Sequence, residues 1–170
     1  MSETGQPEPW LRGTLPEVPA MQRAVVHALQ LAEEDLQRWC GSLSDEQLNA
    51  RPGGLPSLAF HLRHIARSLD RLLTYAEARD LSADQLAAMK TEQEPGAARE
   101  ALFSELNSAL AQSMIRIQAF DADMLEQKRV VGRKQLPTTV AGLLVHVADH
   151  TQRHVGQAVT TAKIVVAGLA

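Results

Sequence analysis

Four segments of this sequence repeat their apolar residues every three or four positions, and breaks rich in proline and glycine separate them. That pattern constrains the fold more than anything else in the chain. From Ala20 to about Cys40, Val25, Leu29, Ala32, Leu36 and Trp39 recur at helical spacing, and Gly41 ends the run. After Ala50-Arg-Pro-Gly-Gly-Leu-Pro56, Ser57 is placed to cap a second helix reaching about Arg79. Its stripe is Leu58, Leu62, Ile65, Leu69, Leu72 and Leu73, opposite Arg63, Arg67 and Asp70. Pro95-Gly96 precedes a third helix from about Ala97 to Ala119, burying Leu102, Leu106, Leu110, Met114 and Ile117. Thr138 or Thr139 caps a last helix that runs to about Val166. Four long amphipathic helices predict an all-α protein, a four-helix bundle over residues 18–166. An extended arm, residues 1–17, precedes it and a short tail, residues 167–170, follows.

The connections carry their own signals. Residues 1–19 hold four of the eight prolines, which predicts an arm without helix, pinned to the body by Trp10 and Leu11. Ser44 and Gln47 are spaced as a capping box, and residues 82–93 suit a short surface helix. Asp121 to Pro137 reads as irregular: Val130-Val131 is a short extended piece, with nothing to build a sheet. The basic patch there, Lys128, Arg129, Arg133 and Lys134, reads as a solvated loop, with reception of an anionic substrate as the lesser alternative.

Composition narrows the function classes. The net charge of −3, without a basic stripe interleaved with aromatics, argues against a nucleic-acid partner. No apolar stretch approaches the ~20 residues of a membrane span, and no secretory signal opens the chain, so the expected location is cytoplasmic. The lone Cys40 excludes an internal disulfide and a multi-cysteine metal cluster. It closes a helix, where the dipole raises a thiol pKa, which argues against a nucleophile.

Chemistry concentrates in the last helix. His146-Val-Ala-Asp-His150-Thr-Gln-Arg-His154-Val-Gly-Gln157 places three of the six histidines four residues apart. Each four-residue step turns about 40° past a full rotation and rises about 6 Å, so the imidazoles form a drifting stripe on one face. The stripe borders the apolar face of Leu144, Val147, Val155 and Ala158, while Asp149 and Arg153 belong to a solvated face. Two histidines four apart on a helix can reach one metal ion, and a third ligand from elsewhere completes an open-sided site. A single histidine in such a place is ordinarily a hydrogen-bonded core residue; three in register point to a ligand set. The second helix offers His61, nearer the apolar stripe, and His64, on its flank. Helical geometry mildly favours His61 and leaves the choice open. His27 reads as structural or exposed. Gly156 costs about 1 kcal/mol relative to Ala inside a helix, so it is expected to serve a close helix approach.

Two segments resemble the DinB/YfiT-like superfamily of small metal-binding four-helix bundles. One is Gly54-Leu-Pro-Ser-Leu-Ala-Phe-His-Leu-Arg-His64-Ile-Ala-Arg-Ser-Leu-Asp-Arg. The other is Leu136-Pro-Thr-Thr-Val with His146 to Gln157; the likeness extends over about residues 18–166. The resemblance implies a bundle with one long crossover connection and a divalent metal, zinc or nickel, held by His64, His150 and His154. His61 stands as the alternative to His64. It leaves His146 to orient a ligand or to act as a general base. It further implies an enzyme for a small-molecule substrate, transferring or adding a low-molecular-weight thiol, or hydrolysing, at an electrophilic centre. A metal-stabilised ligand-binding or stress-response module without catalysis is the alternative. Exposed faces of small bundles often pair, so a homodimer is expected, although no heptad seam specifies one.

Overall fold

The computed structural model describes residues 6–168, and each apolar-periodic segment forms a helix. The order is α1 (Ala20–Cys40), α2 (Asp45–Asn49), α3 (Leu58–Ala76), α4 (Ala83–Lys90), α5 (Arg99–Gln118), β1 (Lys128–Val131), β2 (Leu136–Thr139) and α6 (Val140–Val166). Local chemistry sets the starts. Ser44 and Gln47 close a capping box on α2, and Ser82 with Gln85 does the same on α4. The Ser57 hydroxyl accepts from the Phe60 amide at 3.2 Å, and Thr139 accepts from Gly142 at 3.1 Å. Each cap satisfies an amide that the first helical turn leaves unpaired.

α1 packs against α5 and α6, and α3 packs against the same two helices. Successive long helices α1 and α3 therefore face each other across one diagonal of the bundle, and α5 and α6 across the other. Leu29, Leu36, Leu62, Ile65, Leu69, Leu106, Leu110, Ile117 and Leu144 are fully buried between them. Burying each such side chain contributes roughly 1.5–3 kcal/mol. This arrangement seats the histidine-bearing face of α6 directly on α3. Among the described residues no helix is long and apolar enough to cross a membrane.

The polar face of α3 is covered as well. Arg67 donates to Glu105 on α5 at 2.7 Å and to the Ala88 carbonyl of α4 at 2.6 Å. Arg63 donates to the Glu94 carbonyl. The connection of residues 77–98 is thereby clasped across the bundle. α4 buries none of its own side chains, as expected of a surface helix.

Several local expectations are corrected. Residues 128–139 do build a sheet: β1 and β2 pair antiparallel, with Lys128 opposite Thr139 and Val131 opposite Leu136. Four-residue strands are too short to show alternation, and Pro137 is tolerated because each strand of a two-stranded ribbon has a free edge. Trp10 and Leu11 do not pin the arm; they are 61% and 57% exposed. Buried Pro9 and Val18 hold it instead, with Arg12 gripping both Glu34 carboxylate oxygens at 2.6 and 2.8 Å. The arm also contains one 3₁₀ turn, Pro9–Leu11. Trp39, placed in the apolar stripe of α1 by its spacing, is exposed instead, under the Lys163 ammonium at 4.3 Å from the ring centroid. Gly156 serves no close approach: a Cβ there would meet nothing within 4 Å. The arm's residues 1–5 and the tail's residues 169–170 lie outside the described residues.

Candidate metal centre

His61 and His64 project from α3 toward the stripe on α6, and the packing of these two helices brings four imidazoles together. His64, His150 and His154 each offer one ring nitrogen such that all three lie within 4.8 Å of one another. His64 Nε2 is 3.2 Å from His150 Nε2. His61, almost fully buried, places its Nδ1 3.1 Å from Nδ1 of His154. Phe60 stacks on His64 with ring centroids 5.2 Å apart and an interplanar angle of 23°, fixing that ring in rotation.

The outer nitrogens decide the tautomers. His64 Nδ1 is 2.7 Å from a Glu92 carboxylate oxygen, which only accepts, so the hydrogen sits on Nδ1 and the lone pair on Nε2. Glu92 is buried and takes a second contact from Arg71 at 2.7 Å. Burial opposes its charge, but the hydrogen bonds from His64 and Arg71 prevail and hold its carboxyl below the usual range. Ser68 donates its hydroxyl hydrogen to the Ile65 carbonyl at 3.1 Å, so toward His150 Nδ1, 3.5 Å away, it presents a lone pair. With the ring hydrogens on the two Nδ1 atoms, both Nε2 lone pairs face one space across 3.2 Å, as two ligands of one metal ion do. A tetrahedral metal with nitrogen ligands at about 2.0 Å separates them by roughly 3.3 Å. The donor set fits a metal ion.

Burial favours the uncharged form of three imidazoles here. Burial, reinforced by neighbouring imidazoles, lowers the pKa values of His61, His150 and His154 to about 4. Neutral imidazole is the form that ligates.

The remaining residues singled out by the sequence fall outside this group. His146 is exposed, its Nδ1 2.9 Å from Asp149 and its ring centroid 5.3 Å from that of His150. His27 is buried on α1 with Nε2 3.1 Å from the Thr14 hydroxyl. Cys40 is buried, and desolvation pushes its thiol up to about 11. Glu92 and Arg71 are not legible in the sequence. An acid in Thr-Glu-Gln-Glu-Pro carries no local mark of burial, and only the folding of residues 77–98 over α3 brings it to His64. Beside the cluster, Leu55, Pro56, His61, Arg153, Gly156 and Thr160 bound a cavity of ≈ 390 Å³, which the missing Cβ of Gly156 helps keep open.

Residues 28–158 match the sequence profile of the DinB superfamily. The chain belongs to the DinB superfamily. No curated protein matches it in sequence. Among solved structures, this DinB-superfamily chain is similar to a conserved protein of Enterococcus faecalis, with a TM-score of 0.71 and 20% identity, covering 86% of this chain and 97% of that one. It is also similar to YfiT from Bacillus subtilis, with a TM-score of 0.66, 11% identity and coverage of 84% and 86%. YfiT is described as a probable metal-dependent hydrolase with an unusual four-helix bundle topology.

Proposed function

We propose that His64, His150 and His154 hold one divalent cation, and that this DinB-superfamily protein is a metal-dependent enzyme acting on a small electrophilic substrate. The observation that carries the reading is the opposed pair of Nε2 lone pairs, each oriented by a fixed partner on Nδ1. The description of YfiT as a probable metal-dependent hydrolase supports it. When bound, a divalent cation, zinc or nickel, supplies Lewis acidity, which makes water or a low-molecular-weight thiol nucleophilic near neutral pH.

The chain's own residues supply the rest. Glu92, anchored by Arg71, orients His64; Ser68 and His61 stand behind His150 and His154. His64, His150 and His154 would hold the cation through imidazole nitrogens, which as neutral donors would leave it its full charge. The cavity beside His61 receives the substrate, with Leu55 and Pro56 offering it an apolar wall. His146 acts as general base: Asp149 engages its Nδ1, leaving Nε2 to take a proton.

Metal content and thermal stability of the purified protein, before and after chelation, test the site. One ion per chain and a melting temperature that falls on chelation are expected. Turnover of an electrophile with and without added thiol then separates transfer from hydrolysis, and ligand binding without turnover would leave a binding module.

A further inference from the structure

A second cavity, ≈ 480 Å³, lies where the end of α3 and the start of the 77–98 connection meet the hairpin. At 1.5 Å per residue, Tyr75 in its wall stands roughly 16 Å along α3 from His64, so this space is separate from the histidine cluster. Its lining is of two kinds. Tyr75, Leu81, Leu86 and Val130 make an apolar wall, and Lys128, Arg129 and Arg133 bring positive charge.

That charge is largely uncompensated. Among the described residues, Lys128 and Arg133 form no ion pair and no side-chain hydrogen bond. The Arg129 guanidinium is immobilised on neutral acceptors only: the Ala76 carbonyl at 2.7 Å, the Lys128 carbonyl at 2.9 Å and Gln127 Oε1 at 3.0 Å. Arg79 is engaged by Glu77, and Asp80 is the one carboxylate in the lining. Three cations therefore face one anion.

Among the described residues only three non-glycine positions adopt positive φ, and two of them, Ala78 (58°) and Gln135 (50°), line this cavity. Both belong to the turns that frame the space: at Ala78 the chain leaves α3, with the Arg79 amide returning to the Thr74 carbonyl, and Gln135 closes the hairpin turn on the Gly132 carbonyl.

We infer that this cavity binds a small organic anion, a carboxylate or phosphate monoester carried on a flat apolar body. Lys128 and Arg133 take the charged group, and the body lies against Tyr75 and Val130. The volume falls in the range of ordinary small-ligand pockets, about 300–1,000 Å³. Neither the metal nor the proposed reaction enters this inference.

Amide-resolved NMR titration of the full chain with benzoate, phenyl phosphate, phenol and inorganic phosphate tests it. One of the two aryl anions should saturate, shifting the amides of Ala78, Gly132 and Gln135, and the tighter of the two identifies the anionic group. Phenol and inorganic phosphate, each lacking half of the recognised chemistry, should bind at least about tenfold more weakly. The double variant Lys128→Ala/Arg133→Ala should lose about tenfold in affinity, and Val130→Asp should lose as much from the apolar side. Lys128 and Val130 are exposed and Arg133 lies at the surface of the hairpin turn, and unchanged amide shifts elsewhere will report an intact fold. The inference is overturned if neither aryl anion saturates, if the shifts centre on residues 146–157, or if both variants bind as the parent does.

Discussion

α3 carries two polar clusters that differ in how completely they are closed. Toward α5, Arg116 donates to Asp70 at 2.7 Å and to Glu77 at 2.6 and 3.0 Å, while Gln85 donates to Asp70 and to the Thr74 hydroxyl. Toward α6, His64 and His150 bring their Nε2 atoms within 3.2 Å of each other, with Glu92 and Ser68 on the Nδ1 sides. The first cluster is complete within the chain and reads as a clamp on the 77–98 connection. The second gathers three imidazole nitrogens within 4.8 Å of one another, a group able to hold a metal ion. Hydrogen-bond completeness thus separates a structural cluster from a binding one, although both are half-buried and both lie between helices.

The largest way to break this contrast is to remove the cation. Chelation should lower the melting temperature of the parent protein; a ligand held at a thousandfold its Kd adds about 4 kcal/mol. His150→Ala should bind no metal by elemental analysis and show no response to chelator. An unchanged metal content in that variant would refute the assignment.

Removing Arg116 attacks the closed side. Arg116→Ala strands Asp70 and Glu77 and should destabilise the fold by about 1–3 kcal/mol in denaturant unfolding, with metal stoichiometry unaltered. Glu92→Gln removes the charge paired with Arg71 and the acceptor that orients His64, and should in addition reduce metal affinity roughly 10–100-fold, measured by competition with a chromophoric chelator.

The two clusters should also separate along the pH axis in metal-free protein. His61, His150 and His154 titrate near pH 4 in the fold against 6.5 for an unperturbed imidazole, so the unfolded chain binds more protons between those values. Stability should therefore decline as pH falls from about 6.5 toward 4. Glu77 has its carboxyl held below 4.5, burial opposing and Arg116 and Arg79 prevailing, so its contribution is present above 4.5 and lost as pH falls further. Unfolding midpoints should show a shallow loss beginning near 6.5 and a further loss below 4.5. Arg116→Ala should remove mainly the lower one.

The smallest effect concerns Gly156, whose Cβ position is empty. Gly156→Ala should raise stability by up to about 1 kcal/mol, as helix propensity dictates. It should also narrow the cavity beside His61, so a gain in melting temperature accompanied by weaker substrate binding is expected. A loss of stability would restore the close-approach reading.

Much of this is legible from residues close in sequence. Helical periodicity, the Ser44, Ser57 and Thr139 caps, and the register of His146, His150 and His154 depend on contacts three or four residues apart, where side-chain spacing is dictated by the helix. The hairpin escapes such a reading because each strand spans only four residues and its support is the start of α6, through Val140 to Gln127 and Ala141 to Leu125 backbone bonds. Trp10 misleads because hydrophobicity says what a side chain prefers, not whether a neighbour is there to cover it.

The choice between His61 and His64 shows where that boundary lies. They sit roughly 60° apart on the α3 wheel, both beside the apolar stripe, and nothing local ranks them decisively. The sequence established the helices, the imidazole donors and the family to which the chain belongs. Only the tertiary packing decided that α6 lies against α3, that Glu92 arrives from residues 77–98 to hold the His64 hydrogen on Nδ1, and that His61 is turned toward His154. Those decisions rest on contacts between residues dozens of positions apart. There, shape and burial select among side chains that the local code leaves equivalent.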